Sequence, residues 1–130
     1  MTRIFLLILT LQMATFAISQ NLSFRTSEAD AQVMIYEKQM EDRAVTITDG
    51  KLRVTNFKID PHKDLIADVK YSEDKEYLDL GLSKWYYCEN SNNKDFQYIL
   101  IVPQSQDATR LVLQELLSNA ITAKFDLYID

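Results

Sequence analysis

The chain has 130 residues, with 19 acidic and 14 basic side chains and a single cysteine, Cys88. A lone cysteine excludes an intramolecular disulfide, on which small exported domains commonly rely. The excess of acidic side chains argues against nucleic acid as a partner, because phosphate binding needs a basic surface. With two glycines and two prolines, this is not a collagen-like or low-complexity chain. We therefore expect a globular domain that is stabilised by its apolar core.

The first 19 residues have the three parts of a secretory signal peptide. Arg3 supplies a positive charge, residues 4–11 form an apolar core, and Ala17 and Ser19 are small residues at the −3 and −1 positions before Gln20. The apolar run is too short to span a bilayer, which takes about 20 residues. We predict a cleaved signal peptide over residues 1–19 and a soluble, acidic single domain over residues 20–130. The expected location is periplasmic or extracellular, with no membrane span after cleavage.

The clearest local feature of the predicted domain is a β-hairpin. Residues 20–30 are polar and are expected to be loose. Residues 31–39 fit either a strand or a helix, and Val, Ile and Tyr together slightly favour the strand. Residues 44–48 and 52–57 then alternate between apolar and polar side chains on either side of Asp49-Gly50. This dipeptide suits the positive φ angles of a tight hairpin turn, so the pattern predicts two antiparallel strands.

Further strands are predicted over residues 64–71, 77–87, 96–102 and 124–129, with a polar turn over residues 72–75. Gly81 lies inside the second of these segments and is interpreted as a bulge or a close approach of two backbones. The segment 96–102 is the most apolar of the predicted strands and is expected to be central in the sheet.

Residues 107–123 determine the fold class that we predict. Asp107 suits a helix N-cap, and the segment is rich in Leu, Gln, Glu and Ala, so it favours an amphipathic helix. The alternative is a hairpin that turns at Ser118-Asn119. With a helix, the fold is α+β, an antiparallel sheet of about five to seven strands with one helix packed on a face. If residues 107–123 are strands, a small closed β-barrel is the alternative.

Few residues in the chain could carry chemistry. There is no glycine-rich phosphate loop, and Cys88 and His62 are too few for a structural zinc site, so we predict neither a cofactor nor a metal. Cys88 is interpreted as a buried, inert thiol. The alternatives are an intermolecular disulfide, a reactive thiol, or a nucleophile activated by His62.

Trp85-Tyr86-Tyr87 is the candidate binding surface, because aromatic side chains are enriched at interface hot spots. In a strand, Trp85 and Tyr87 share one face and Tyr86 takes the other. One face is expected to pack in the core, and the face with Tyr86 is the candidate for an exposed surface. Core packing is the favoured interpretation of these aromatic side chains, and a binding surface is the alternative.

We therefore expect an exported, non-catalytic domain that binds a protein or a small ligand. The first alternative is a small hydrolase that uses Cys88 or carboxylates. The second is a structural subunit that assembles through an exposed sheet edge. The sequence leaves the oligomeric state open.

Overall fold

The computed structural model describes residues 21–59 and 61–130. The predicted signal peptide lies outside these residues. The described chain is almost entirely strand, in antiparallel pairs that follow one another along the sequence. The strands are β1 (Leu22–Gln32), β2 (Tyr36–Gln39), β3 (Arg43–Thr48), β4 (Lys51–Ile59), β5 (His62–Tyr77), β6 (Gly81–Asn90), β7 (Phe96–Pro103), β8 (Arg110–Leu117) and β9 (Ala120–Ile129).

Eight of these strands form a closed antiparallel barrel. The order is β1-β3-β4-β5-β6-β7-β8-β9, and β9 pairs back with β1 from Thr26 to Gln32. The short β2 extends the barrel wall, because it pairs only with the second half of β1. A barrel of eight strands has an interior just wide enough to be filled by side chains or by one small ligand.

The predicted α+β fold with a helix over residues 107–123 is wrong, and the small β-barrel is confirmed. The segment forms β8 and the start of β9, joined by a turn at Ser118 and Asn119, whose φ angles are 50° and 68°. Leu111, Val112 and Leu113 are all fully buried, because the outer wall is covered at Val112. The period-two pattern of a half-exposed strand is therefore absent.

The hairpin at Asp49-Gly50 is confirmed, with φ angles of 53° and 74° at the two turn residues. Two other local predictions are wrong. Residues 22–32 form the closing strand β1 instead of a loose segment, and β5 runs through the predicted turn at residues 72–75 to Tyr77.

Gly81 has neither a bulge nor a close neighbour. It ends the 3-10 turn Leu78–Leu80 with φ 70° and ψ −151°, and no atom lies within 4 Å of the position of a Cβ. The backbone conformation alone accounts for glycine at this position.

Inward-facing side chains from all eight barrel strands fill the interior. The apolar residues that are at least nine-tenths buried in this cluster are Ala29, Ala31, Val45, Ile47, Leu52, Val54, Leu65, Ala67, Val69, Tyr86, Cys88, Tyr98, Leu100, Leu111, Leu113, Ala123, Phe125 and Leu127. A second, smaller cluster lies on the outer wall. It consists of Tyr77, Ile101 and Val112, with Leu80, Trp85 and Ile99 packed against them.

Candidate functional site

The three residues of the sequence-predicted surface divide between the two faces of β6, as the strand period requires. The face with Tyr86, which was the candidate for an exposed surface, packs in the core instead. Tyr86 is only 4 % exposed and belongs to the interior cluster, whereas Trp85 and Tyr87 lie on the outer wall. The barrel interior takes Tyr86 because its neighbours along the inner face, including Cys88, are buried in the same core.

Trp85 and Tyr87 belong to a row of four aromatic side chains on the outer face of the β5–β6 hairpin, here called the aromatic row. In spatial order its members are Tyr71, Tyr87, Trp85 and Tyr77. The rings of Tyr71 and Tyr87 stack at 4.4 Å between centroids, and those of Tyr87 and Trp85 lie 6.5 Å apart. Tyr77 meets Trp85 edge-on at 5.6 Å. Such pairs stabilise by about 0.5–1.5 kcal/mol beyond the area they bury.

Polar contacts within the hairpin hold the middle of the aromatic row in position. The Tyr87 hydroxyl donates to Glu73 Oε1 at 2.5 Å, and the Trp85 indole N–H donates to the carbonyl of Lys75 at 3.2 Å. The Lys75 ammonium lies 4.5 Å from the centre of the Trp85 ring. Burial, followed by the hydrogen bond to Glu73, raises the pKa of Tyr87 above its ordinary value.

The buried end of the row is fixed by the tip of the hairpin. Both guanidinium Nη atoms of Arg110 donate to the Asp79 carboxylate, at 3.0 and 2.8 Å, and Arg110 Nε donates to Asp126 at 3.2 Å. The hydrogen bond from Arg110 lowers the pKa of Asp79. This bidentate pair holds the 3-10 turn against β8, so that Tyr77 covers Val112.

The exposed end of the row forms one wall of an open groove of ≈ 450 Å³ on the outside of the barrel. Tyr71, which is 55 % exposed, stands on one side, and Leu116 and Asn119 stand on the other. Tyr87 and Ile99 lie between them. We call this space the outer groove.

The charges of the outer groove are paired. Lys70 Nζ lies 3.6 Å from Glu89 Oε2, and both residues line the groove. A neutral, aromatic surface with a polar rim is typical of the centre of a protein interface.

Tyr71 also lies at a free sheet edge. The pairing of β4 with β5 ends at Lys51 and Asp68, followed by one hydrogen bond from the Val69 N–H to the Gly50 carbonyl. From Tyr71 to Tyr77, β5 pairs with β6 on one side, and no strand of residues 21–59 or 61–130 pairs with the other. The sequence did not point to Tyr71. A turn was predicted at residues 72–75, and with a turn there Tyr71 would not be expected to pair with Tyr87 across the two strands.

The two residues considered for nucleophilic chemistry lie far apart. Cys88 is opposite Val69 on β5, seven residues from exposed His62, which is about 23 Å at the rise of a strand. Cys88 is 3 % exposed, and burial, followed by the charge of Asp68, raises its thiol pKa to about 12. A thiol that stays protonated is a poor nucleophile.

Within the described residues, no helix has the length and apolar character needed to cross a bilayer. The same part of the chain holds no group of three or more His, Cys, Asp and Glu side chains placed to bind a metal. In comparisons with known proteins, the chain matches no family model, no curated sequence and no solved structure.

Proposed function

We propose that this chain is an exported, non-catalytic binding module that recognises a partner protein at the outer groove. One observation carries the proposal. The exposed end of a fixed aromatic row opens onto a concave, charge-neutral surface, whereas the outward faces of strands β1, β3 and β4 are polar. The exposed side chains on these strand faces include Ser23, Arg25, Thr48, Lys51 and Arg53. Other exposed apolar side chains, Val33 to Tyr36, lie on the β1–β2 hairpin and form no such concave surface with the aromatic row.

The partner that suits this surface is an extended segment with an apolar or aromatic side chain. Such a side chain would fill the space between Tyr71 and Leu116, above Ile99. Tyrosine loses little conformational entropy on binding, and Tyr71 already stacks on Tyr87, so this anchor is partly ordered beforehand. The free edge of β5 beside Tyr71 could accept main-chain hydrogen bonds from the same segment.

Assembly of the chain with itself through this edge is less favoured. Residues 73–76 read Glu-Asp-Lys-Glu, and charged side chains on an edge strand discourage pairing with an identical strand. Hydrolysis is less favoured because the Cys88 thiol is buried in the barrel interior.

The test uses a matched pair of exposed tyrosines, Tyr71 and Tyr36, which are 55 % and 61 % exposed. A partner is first isolated from the secreted or envelope proteins of the native host on the immobilised domain, and its affinity is then measured for each variant. Tyr71→Ala should weaken binding about 5- to 30-fold, the effect of losing a hot-spot side chain of ~1–2 kcal/mol. Tyr36→Ala, on β2, should leave the affinity unchanged. Equal losses for the two variants would refute the proposal.

Export is tested separately. N-terminal sequencing of the protein recovered from the native host should begin at Gln20. An intact Met1 terminus on protein recovered from the cytosol would contradict export while leaving the outer groove untouched.

A further inference from the structure

A second cavity, of ≈ 480 Å³, lies at one mouth of the barrel, between the β4–β5 hairpin and the β6–β7 connection. Its inner part is lined by Phe57, Leu65, Phe96 and Tyr98, and its rim by lysine and asparagine side chains. Barrel mouths are among the preferred positions of small-ligand sites. We propose that this mouth cavity binds a small amphipathic anion, an aromatic or short aliphatic carboxylate. This cavity opens at a different place from the outer groove, although Tyr98 lines both.

A bulge in β4 provides the apolar base of the mouth cavity. Three residues, 55–57, stand opposite the single residue Asp64, and Asn56 takes a positive φ of 52°. The bulge places Phe57 against Tyr98, edge-on at 5.9 Å, and against Phe125 at 5.1 Å. These rings separate the mouth from the filled interior, so the apolar part of a ligand has to be short.

Two lysines at the rim give the cavity its preference for an anion. Lys58 and Lys63 are directly opposite each other in the β4–β5 register, and both line the cavity. Like charges in this position destabilise a strand pair. Neither lysine has a carboxylate within 4.0 Å among the described residues. A bound carboxylate would relieve their repulsion and accept hydrogen bonds from both.

Among the described residues, two carboxylates, Asp64 and Glu115, line the mouth cavity, and both accept hydrogen bonds. Asp64 accepts a hydrogen bond from the Asn56 N–H at 3.1 Å and lies 3.8 Å from Arg53 Nε. Glu115 accepts from the Tyr98 hydroxyl at 3.0 Å and from Thr122 at 3.2 Å. Arg53 balances the charge of Asp64, whereas Glu115 accepts only from neutral hydroxyls and keeps its negative charge. Together with Lys58 and Lys63, the described charged side chains at this mouth therefore have a net positive charge.

Arg43 adds a third positive charge behind the bulge. Its side chain is 2 % exposed, its Nε donates to the Asn56 carbonyl at 3.2 Å, and its Nη2 donates to Gln39 at 2.6 Å. No carboxylate of the described residues lies within 4.0 Å of this guanidinium. Because it is buried, its field is screened less than that of a surface charge.

The proposal is tested by titrating the domain with 2-naphthoate and with the uncharged 2-naphthamide, followed by calorimetry and amide NMR shifts. A ligand of this size should bind with a Kd near 1 mM. Lys58→Gln and Lys63→Gln should each weaken naphthoate binding about two- to fivefold, and should not change naphthamide binding. Lys51→Gln removes the same charge at the far end of β4, about 23 Å away, and should change neither.

The expected shifts fall on residues 57–65 and 90–98, and the affinity for naphthoate should fall as salt is added. Three results would overturn the proposal: equal affinity for the two compounds, shifts that fall elsewhere on the barrel, or no saturable binding up to ~10 mM. Phe96→Ala should weaken the binding of both compounds. Unchanged affinities in that variant would also contradict binding in the mouth cavity.

Discussion

The chain has only two glycines, and the structure predicts that they respond differently to the same substitution. Both have positive φ angles, 74° at Gly50 and 70° at Gly81, and an added Cβ would meet no atom within 4 Å at either position. The backbone conformation therefore determines the outcome. Gly50 lies in the tight turn after Asp49, where asparagine is well tolerated. Gly81 has a ψ of −151°, a region that is essentially restricted to glycine.

Gly81→Asn should therefore destabilise the domain by about 1–3 kcal/mol, whereas Gly50→Asn should cost less than about 0.5 kcal/mol. For a domain of this size, thermal unfolding shifts by roughly 4 °C per kcal/mol, so Gly81→Asn should lower Tm by about 4–12 °C. Circular dichroism measures Tm, and the fluorescence of Trp85, the single tryptophan, reports on the hairpin tip. Equal Tm values for the two variants would refute the reasoning about Gly81.

The remaining predictions concern the interior and the hairpin tip. Tyr86→Ala should cost about 3–5 kcal/mol because it empties part of the core, whereas Tyr71→Ala should cost at most ~1 kcal/mol; urea unfolding of both variants checks this. Cys88 should react with a thiol reagent only after unfolding. Because its folded pKa is raised from 9.0 to about 12, stability is fully present below pH 9 and is lost as the pH rises toward 12, by up to about 4 kcal/mol. Cys88→Ala should not show this loss of folding stability at alkaline pH. If its stability fell with pH as in the unsubstituted protein, the burial of the Cys88 thiol would be contradicted. Asp79→Asn should release the 3-10 turn and shift Trp85 fluorescence to longer wavelength; an unshifted spectrum would mean that the pair with Arg110 does not hold the tip.

Strands could be predicted from the sequence where one face of the strand is exposed to solvent and the other is buried. The hairpin at Asp49-Gly50 has its polar side chains in solvent and its apolar ones in the barrel, so alternation and turn chemistry agree. The same reasoning failed at residues 107–123. Val112 points outward but is buried under Tyr77, and the strand therefore resembles the apolar stripe of a helix.

The prediction that residues 20–30 are loose was wrong for the opposite reason, because most of them form strand β1. Its inward positions include Thr26, Ala29 and Ala31, which are small because Phe125 and Leu127 of β9 fill the space opposite them. Small and polar residues give no strand signal in the sequence. The partner strand that explains them lies about 95 residues further along the chain, beyond the reach of a local pattern.

The sequence predicted the strand that carries the candidate site but not which face of that strand is exposed. Trp85-Tyr86-Tyr87 located the correct strand, and the period of two separated Tyr86 from its neighbours. Which face is buried depends on barrel closure, and so does the position of Tyr71. The sequence therefore could not show that the outer face carries the groove.

Photo-crosslinking from the outer groove tests the central claim most directly. A benzoylphenylalanine introduced at position 71, or at position 36 as the control, is irradiated in the presence of the isolated partner. The account predicts a crosslinked product from position 71 that saturates with partner concentration, and none from position 36. A product from position 36, or no product from position 71 in a folded protein that still binds the partner, would contradict it.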